Sequence, residues 1–131
     1  MPLLRFDILE GRTDDEIGQL LDAAHAAQVE AFGVPPSDRF QVVHEHKPSR
    51  VRFGDIGLGI ERSDKVVLLQ ITAMPRSGKQ KETFYRLLVE RLHAACGIAP
   101  EDVIVSYLGN GNDDWSFGLG EAQFVSGRLR A

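Results

Sequence analysis

The second residue of this chain is a proline, and that position decides what chemistry the sequence offers first. Loss of Met1 would free the Pro2 nitrogen as a secondary amine. An amine with a reference pKa of about 8 becomes a base when burial or nearby cations lower it, and an acid when its proton is held. Proline after methionine is also an ordinary opening that does no chemistry, so the pair alone leaves both readings open. Other candidates are weaker. His44 and His46 stand at i and i+2, where they share one face of a strand as metal ligands sometimes do, but no third ligand accompanies them. Arg76-Ser77-Gly78-Lys79-Gln80 hints at a phosphate loop, yet lacks the leading glycine and the hydroxyl after lysine. Gly57-Leu58-Gly59 does not continue into a dinucleotide fingerprint and reads as a turn. His25 and His93 read as surface or boundary residues of two different helices. The single Cys96 has no internal disulfide partner and reads as a small core residue at a helix end.

The elements that position these residues emerge from an internal duplication, offset by 64 residues without a gap. Thr13 with Glu16 matches Ser77 with Gln80, and each pair has the form of a capping box that starts a helix. Ile17, Leu20, Leu21 and Ala24 fall on one face of the first helix; Phe84, Leu87, Leu88 and Leu92 do so on the second. Gly33-Val34-Pro35-Pro36-Ser37-Asp38 and Gly97-Ile98-Ala99-Pro100-Glu101-Asp102 stop the two helices. Strands are expected at Leu3–Ile8 and Phe40–Glu45 in the first half, and at Val66–Thr72 and Val103–Tyr107 in the second.

Each half is therefore a strand, helix, strand unit, whose two strands pair in parallel through a right-handed crossover. The fold expected is α+β: one domain over residues 1–131, with repeats at 2–46 and 66–110 and a linker at 47–65. The repeats form a four-stranded mixed sheet with both helices on one face. Val66-Val67-Leu68-Leu69 and Val103-Ile104-Val105 are continuous apolar runs, a pattern of strands covered on both sides. Two helices cover only one side, which points to a closed homo-oligomer. The turn signal Asn110-Gly111 suggests that the tail at 109–131 folds as a hairpin reaching a neighbouring subunit.

The 131 residues, 43% hydrophobic and 26% charged with a net charge of -4, suit a folded domain and supply no basic stripe for nucleic acid. No apolar stretch approaches the roughly 20 residues of a membrane helix, and the first residues lack a signal-peptide pattern, so a cytoplasmic protein away from membranes is expected.

A set of short segments in order carries more weight. Pro2-Leu3-Leu4, Gly11-Arg12-Thr13-Asp14, Phe32-Gly33-Val34-Pro35, Asp38-Arg39, Gly57-Leu58-Gly59, Cys96-Gly97-Ile98, Asp102-Val103-Ile104-Val105 and Asp114-Trp115-Ser116-Phe117-Gly118 span nearly the whole chain. Together with the duplication they resemble the tautomerase superfamily, and within it the malonate semialdehyde decarboxylases. The resemblance implies a homotrimer with Pro2 at the base of each active site, a small carboxylate substrate, and no metal or organic cofactor.

By position the resemblance also makes Pro2 the acid or base, Asp38 its partner in activating water or orienting substrate, and Arg76 the carboxylate binder. A guanidinium matches a carboxylate with a planar fork, and its charge favours a neutral amine nearby. Without the resemblance, Arg76 reads equally well as a solvated residue before a helix, and Asp38 as a turn residue like its repeat partner Asp102. The family pattern sets arginines on both sides of a proline, whereas this chain has Met74-Pro75-Arg76. A thioether in place of a cation weakens carboxylate binding or favours a substrate with an apolar part. Arg39, Arg50 and Arg52 are candidates to replace the charge. Trp115 and Phe117, at i and i+2, form either an apolar wall of the pocket or interface packing. Decarboxylation of a small 3-oxo acid by protonated Pro2, with hydration of an unsaturated acid as a side reaction, is the leading expectation. Tautomerisation of a phenylpyruvate-like substrate by neutral Pro2 is the alternative, and a trimeric binding module without catalysis is the non-enzymatic one.

Overall fold

In a computed structural model, which describes residues 1–130, four strands and two long helices build the chain: β1 (Leu3–Leu9), α1 (Asp14–Phe32), β2 (Phe40–His46), β3 (Val67–Ala73), α2 (Gly78–Cys96) and β4 (Val103–Gly109). Both helices start as their sequences dictate. The Thr13 and Ser77 hydroxyls accept the backbone N–H of Glu16 and Gln80, whose side chains return the bond to the cap residue. Both end on glycines, Gly33 and Gly97, at φ of 65° and 67°, a left-handed conformation in which a Cβ would be strained.

The sheet runs β2-β1-β3-β4. The outer pairs are parallel and joined by the helices, while β1 and β3 are antiparallel and join the two repeats. Alternation along the strands sends Leu4, Phe6 and Ile8 of β1, and Val67, Leu69, Ile71 and Ala73 of β3, toward the helices, where all are buried. Leu20, Ala24 and Ala27 of α1 meet them beside Phe84, Leu88 and Leu92 of α2. Each large side chain buried here contributes roughly 1.5–3 kcal/mol. The small alanines let α1 lie close to the sheet.

The other sheet face carries no helix, as the apolar runs implied. Phe40, Val42 and Leu108 on it are exposed. Asp7 there accepts from His46 Nε2 at 2.6 Å, and Arg5 lies 3.4 Å from His44. These imidazoles thus belong to a polar cluster with Arg5 and Asp7. Among the described residues no group of His, Cys, Asp or Glu is arranged to hold a metal ion, and no helix is long and apolar enough to cross a membrane.

The hairpin expected after Asn110-Gly111 is not formed. Gly111 is extended (φ -113°, ψ 179°) instead of left-handed, and its N–H donates to the Asp114 carboxylate at 2.7 Å. That closes a single 3-10 turn, Asn112–Asp114. Gly118, Leu119 and Gly120 then all take positive φ, which a continuing strand does not allow. A four-residue helix, α3 (Gln123–Ser126), follows, and the tail folds back on its own subunit.

Candidate active site

Antiparallel pairing of β1 with β3 places Leu3 opposite Thr72, so the start of β1 lies beside the end of β3. Parallel pairing with β2 places Leu3 opposite Phe40. The residues flanking these strand ends therefore converge: Pro2 before β1, Asp38 before β2, and Met74 and Arg76 after β3. They meet at a cavity of about 600 Å³ whose lining includes Met1, Asp38, Met74 and Arg76. Proximity of the chain start and Arg76 arises from the antiparallel pair.

Pro2 is fully buried under Met1, whose amine lies 3.9 Å from Asp38 Oδ2. Burial pushes that amine below its ordinary 8.0; Asp38 opposes the shift and Arg76 adds to it. Asp38 is 8% exposed, and its Oδ1 is buried with no hydrogen-bond partner among the described residues. Its backbone is fixed from two sides, the N–H by the Pro35 carbonyl and the carbonyl by Gln28 Nε2, each at 2.9 Å. A buried carboxylate oxygen without a protein partner is costly, so it calls for water or another hydrogen-bond donor in the cavity.

Arg76 lays its guanidinium over the Phe32 ring, 5.1 Å from the centroid, and its buried Nε has no described partner. The Tyr107 hydroxyl donates to the Met74 carbonyl, holding the segment that carries Arg76 against β4. Burial raises the Tyr107 phenol above its usual value, against the pull of Arg76. Met74 lines the cavity, as its position suggested. Trp115 and Phe117 stack at 5.3 Å, and Phe117 meets Phe124 edge-on at 5.5 Å. Phe124, with Leu129, is the aromatic tail residue on the cavity itself, so the predicted pair forms the support behind that wall.

None of the three arginines proposed to replace the missing charge lines the cavity. Arg39 pairs with Asp22 at 2.6 Å, Arg52 donates to the Ser49 and Val51 carbonyls, and Arg50 ends a 3-10 turn in the linker. Arg130 lines it instead. Residue types gave no signal for Phe124, Leu129 or Arg130, because an irregular tail has no period. Phe32 and Val34 did lie in a singled-out segment, but their place on the cavity follows from the helix stop.

The duplication supplies an internal comparison. At the 64-residue offset Arg76 corresponds to Arg12, Asp38 to Asp102 and Pro2 to Val66. The second location retains only a hollow of about 100 Å³. Arg12 donates to the Lys65 carbonyl at 2.6 Å, and Asp102 accepts from the backbone and hydroxyl of Ser63. The nitrogen of Val66 is an amide bonded to Ser63 O at 3.3 Å, with no basicity. The first location is thus an open cavity, and the second a small hollow whose arginine and aspartate are taken up by hydrogen bonds.

A chain terminus, a carboxylate and a guanidinium converging at the strand ends of two tandem repeats define an enzyme class, and comparison with known proteins agrees. Two family models, both described as tautomerase enzyme, match residues 38–118 and 2–60. The chain belongs to the tautomerase family. It is 54% identical over 98% of its length to all of the probable tautomerase YrdN of Bacillus subtilis (strain 168), and 32% identical over 95% to YusQ, a probable tautomerase of the same organism matched over 99% of its length. Among solved structures, a malonate semialdehyde decarboxylase reported for its decarboxylase and hydratase activities is 53% identical, with 97% and 98% of the two chains covered and a TM-score of 0.94. FG41 malonate semialdehyde decarboxylase, inhibited by 3-bromopropiolate, is 36% identical over 98% of both chains, TM-score 0.93. A fused 4-OT, described as a symmetric trimer, shares the fold at 23% identity and a TM-score of 0.77.

Proposed function

We propose that this tautomerase-family enzyme decarboxylates a small 3-oxo acid of the malonate semialdehyde kind, with the Pro2 amine, freed by loss of Met1, as its acid. The observation that carries the proposal is the convergence of the chain terminus, Asp38 and Arg76 on one cavity. The Pro2 ammonium donates to the aldehyde oxygen while Arg76 holds the carboxylate out of conjugation with it. The bond between the carboxylate carbon and C2 then breaks, its electron pair enters the enolate, and carbon dioxide leaves. Protonation at C2 gives acetaldehyde. Asp38 keeps the ammonium charged and orients water in a hydratase side reaction. The likeness to two malonate semialdehyde decarboxylases supports this choice of substrate.

A second reading, tautomerisation of a phenylpyruvate-like acid by neutral Pro2, is favoured by two observations: Met74 where a second arginine was expected, and the apolar Phe32, Val34 and Phe124 on the cavity. The uncovered sheet face, with Phe40, Val42 and Leu108 exposed, supports assembly as a homotrimer.

Mass spectrometry of the purified chain tests the premise: Met1 is absent. Malonate semialdehyde and phenylpyruvate offered to wild type and to Pro2→Ala then separate the readings. Acetaldehyde formed by wild type alone supports decarboxylation, and enol formation by wild type alone the alternative. Equal turnover by both proteins, or Met1 retained, removes Pro2 from the mechanism.

A further inference from the structure

The arginine that reaches the cavity from the tail has no counterpart in the sequence argument. Most other arginines are engaged elsewhere: Arg91 with Glu30, Arg86 with Glu90, Arg62 with the Glu101 carbonyl. Arg128, two residues before it, pairs with Glu121 at 2.8 Å. Arg130 lines the cavity and forms no ion pair with a described residue.

Its position follows from how the tail is tied. Gln123 is 7% exposed; its amide donates to the Gly118 carbonyl at 2.8 Å and its Oε1 accepts from the Phe117 N–H at 2.9 Å. Gly127 ends α3 at a φ of 85°, and the Leu129 N–H donates back to the Gln123 carbonyl at 3.1 Å. This closed turn sets Leu129 against the cavity and delivers Arg130 beside it. Among the described residues, two guanidiniums and the Met1 amine then share a site with one carboxylate, Asp38. In a protein of net charge -4, that local excess of positive charge selects an anion.

We propose that Arg130 is a second anion-binding residue of this cavity, acting with Arg76 on an organic acid that carries a carboxylate and a further anionic or carbonyl oxygen. The assignment rests on the cavity being the substrate site. Arg76 is stacked and half-buried, a rigid fork; Arg130 is exposed on the turn after α3, so its contact with a ligand would order that turn. It is a substrate-binding group and not a proton donor.

Malonate, a stable dianion, serves as the probe. Calorimetric titration of wild type, Arg130→Ala, Arg130→Lys and Arg76→Ala is expected to show roughly tenfold weaker binding for Arg130→Ala and a partial recovery with lysine. Acetate, with one carboxylate, is expected to bind wild type and Arg130→Ala alike. Hydrogen exchange over residues 123–130 slows on malonate addition in wild type and not in Arg130→Ala, a change that a purely structural arginine does not produce. Wild-type affinity in Arg130→Ala, with binding lost in Arg76→Ala, overturns the role of Arg130 and leaves the cavity reading intact. Absence of malonate binding to wild type overturns both.

Discussion

Asp38 and Asp102 occupy the same turn in the two repeats, but among the described residues Asp102 has hydrogen-bond partners for both carboxylate oxygens and Asp38 does not. Asp102 takes two hydrogen bonds from Ser63, whereas Asp38 leaves one buried oxygen without a partner and turns the other toward the chain terminus. Replacement should separate stability from activity. Asp102→Ala removes two bonds to a buried carboxylate and is expected to cost about 2–4 kcal/mol in urea unfolding. Asp38→Asn should cost less than about 1 kcal/mol while turnover falls at least tenfold. Equal destabilisation by the two would return Asp38 to a structural role.

The Met1 amine, in a preparation that keeps this residue, gives a second test of how Asp38 and Arg76 act on the chain terminus. Because burial lowers its pKa from 8.0, the folded chain sheds this proton before the unfolded chain does. Its contribution to stability is complete above 8.0 and is lost as pH falls through the lowered value. Asp38→Asn removes the charge that raises the pKa and should lower it further; Arg76→Ala should raise it. NMR titration of the isotope-labelled amine measures both shifts, and shifts of the opposite sign would separate these side chains from the terminus.

Met74 bears on substrate choice. Met74→Arg adds a cation on the cavity and is expected to lower KM for malonate semialdehyde roughly tenfold while impairing phenylpyruvate turnover. Steady-state kinetics on the two acids is the check, and unchanged selectivity would show that residue 74 does not contact the distinguishing part of the substrate.

Tyr107 supports Arg76 through the Met74 carbonyl. Tyr107→Phe should cost about 1 kcal/mol in unfolding and raise KM more than it lowers kcat, since the lost bond positions a binding residue. Phenol absorbance should titrate above 10.0 for this tyrosine, identified by the difference between wild type and variant.

Much of the architecture was legible because it is local. Thr13 and Glu16, and Ser77 and Gln80, carry their capping geometry within four residues, and Gly33 and Gly97 carry their stops. The 64-residue repeat followed from comparing the halves, whereas the continuous apolar run in β3 did not say which of its side chains face the helices. Pro2 became a candidate by its position after Met1, and Asp38 and Arg76 took their roles through resemblance. Their meeting was decided by the tertiary structure, because convergence depends on β1 and β3 pairing antiparallel across the repeat boundary, and no local period encodes that. The tail shows the same limit. Asn110-Gly111 reads as a hairpin turn until the Asp114 carboxylate takes the Gly111 N–H, and the course of Leu129 and Arg130 to the cavity rests on bonds of Gln123 to nearby backbone that follow no period. A chain sets its own turns and faces by covalent geometry and periodicity, but side chains distant in sequence meet only after the packed core has fixed where each strand ends.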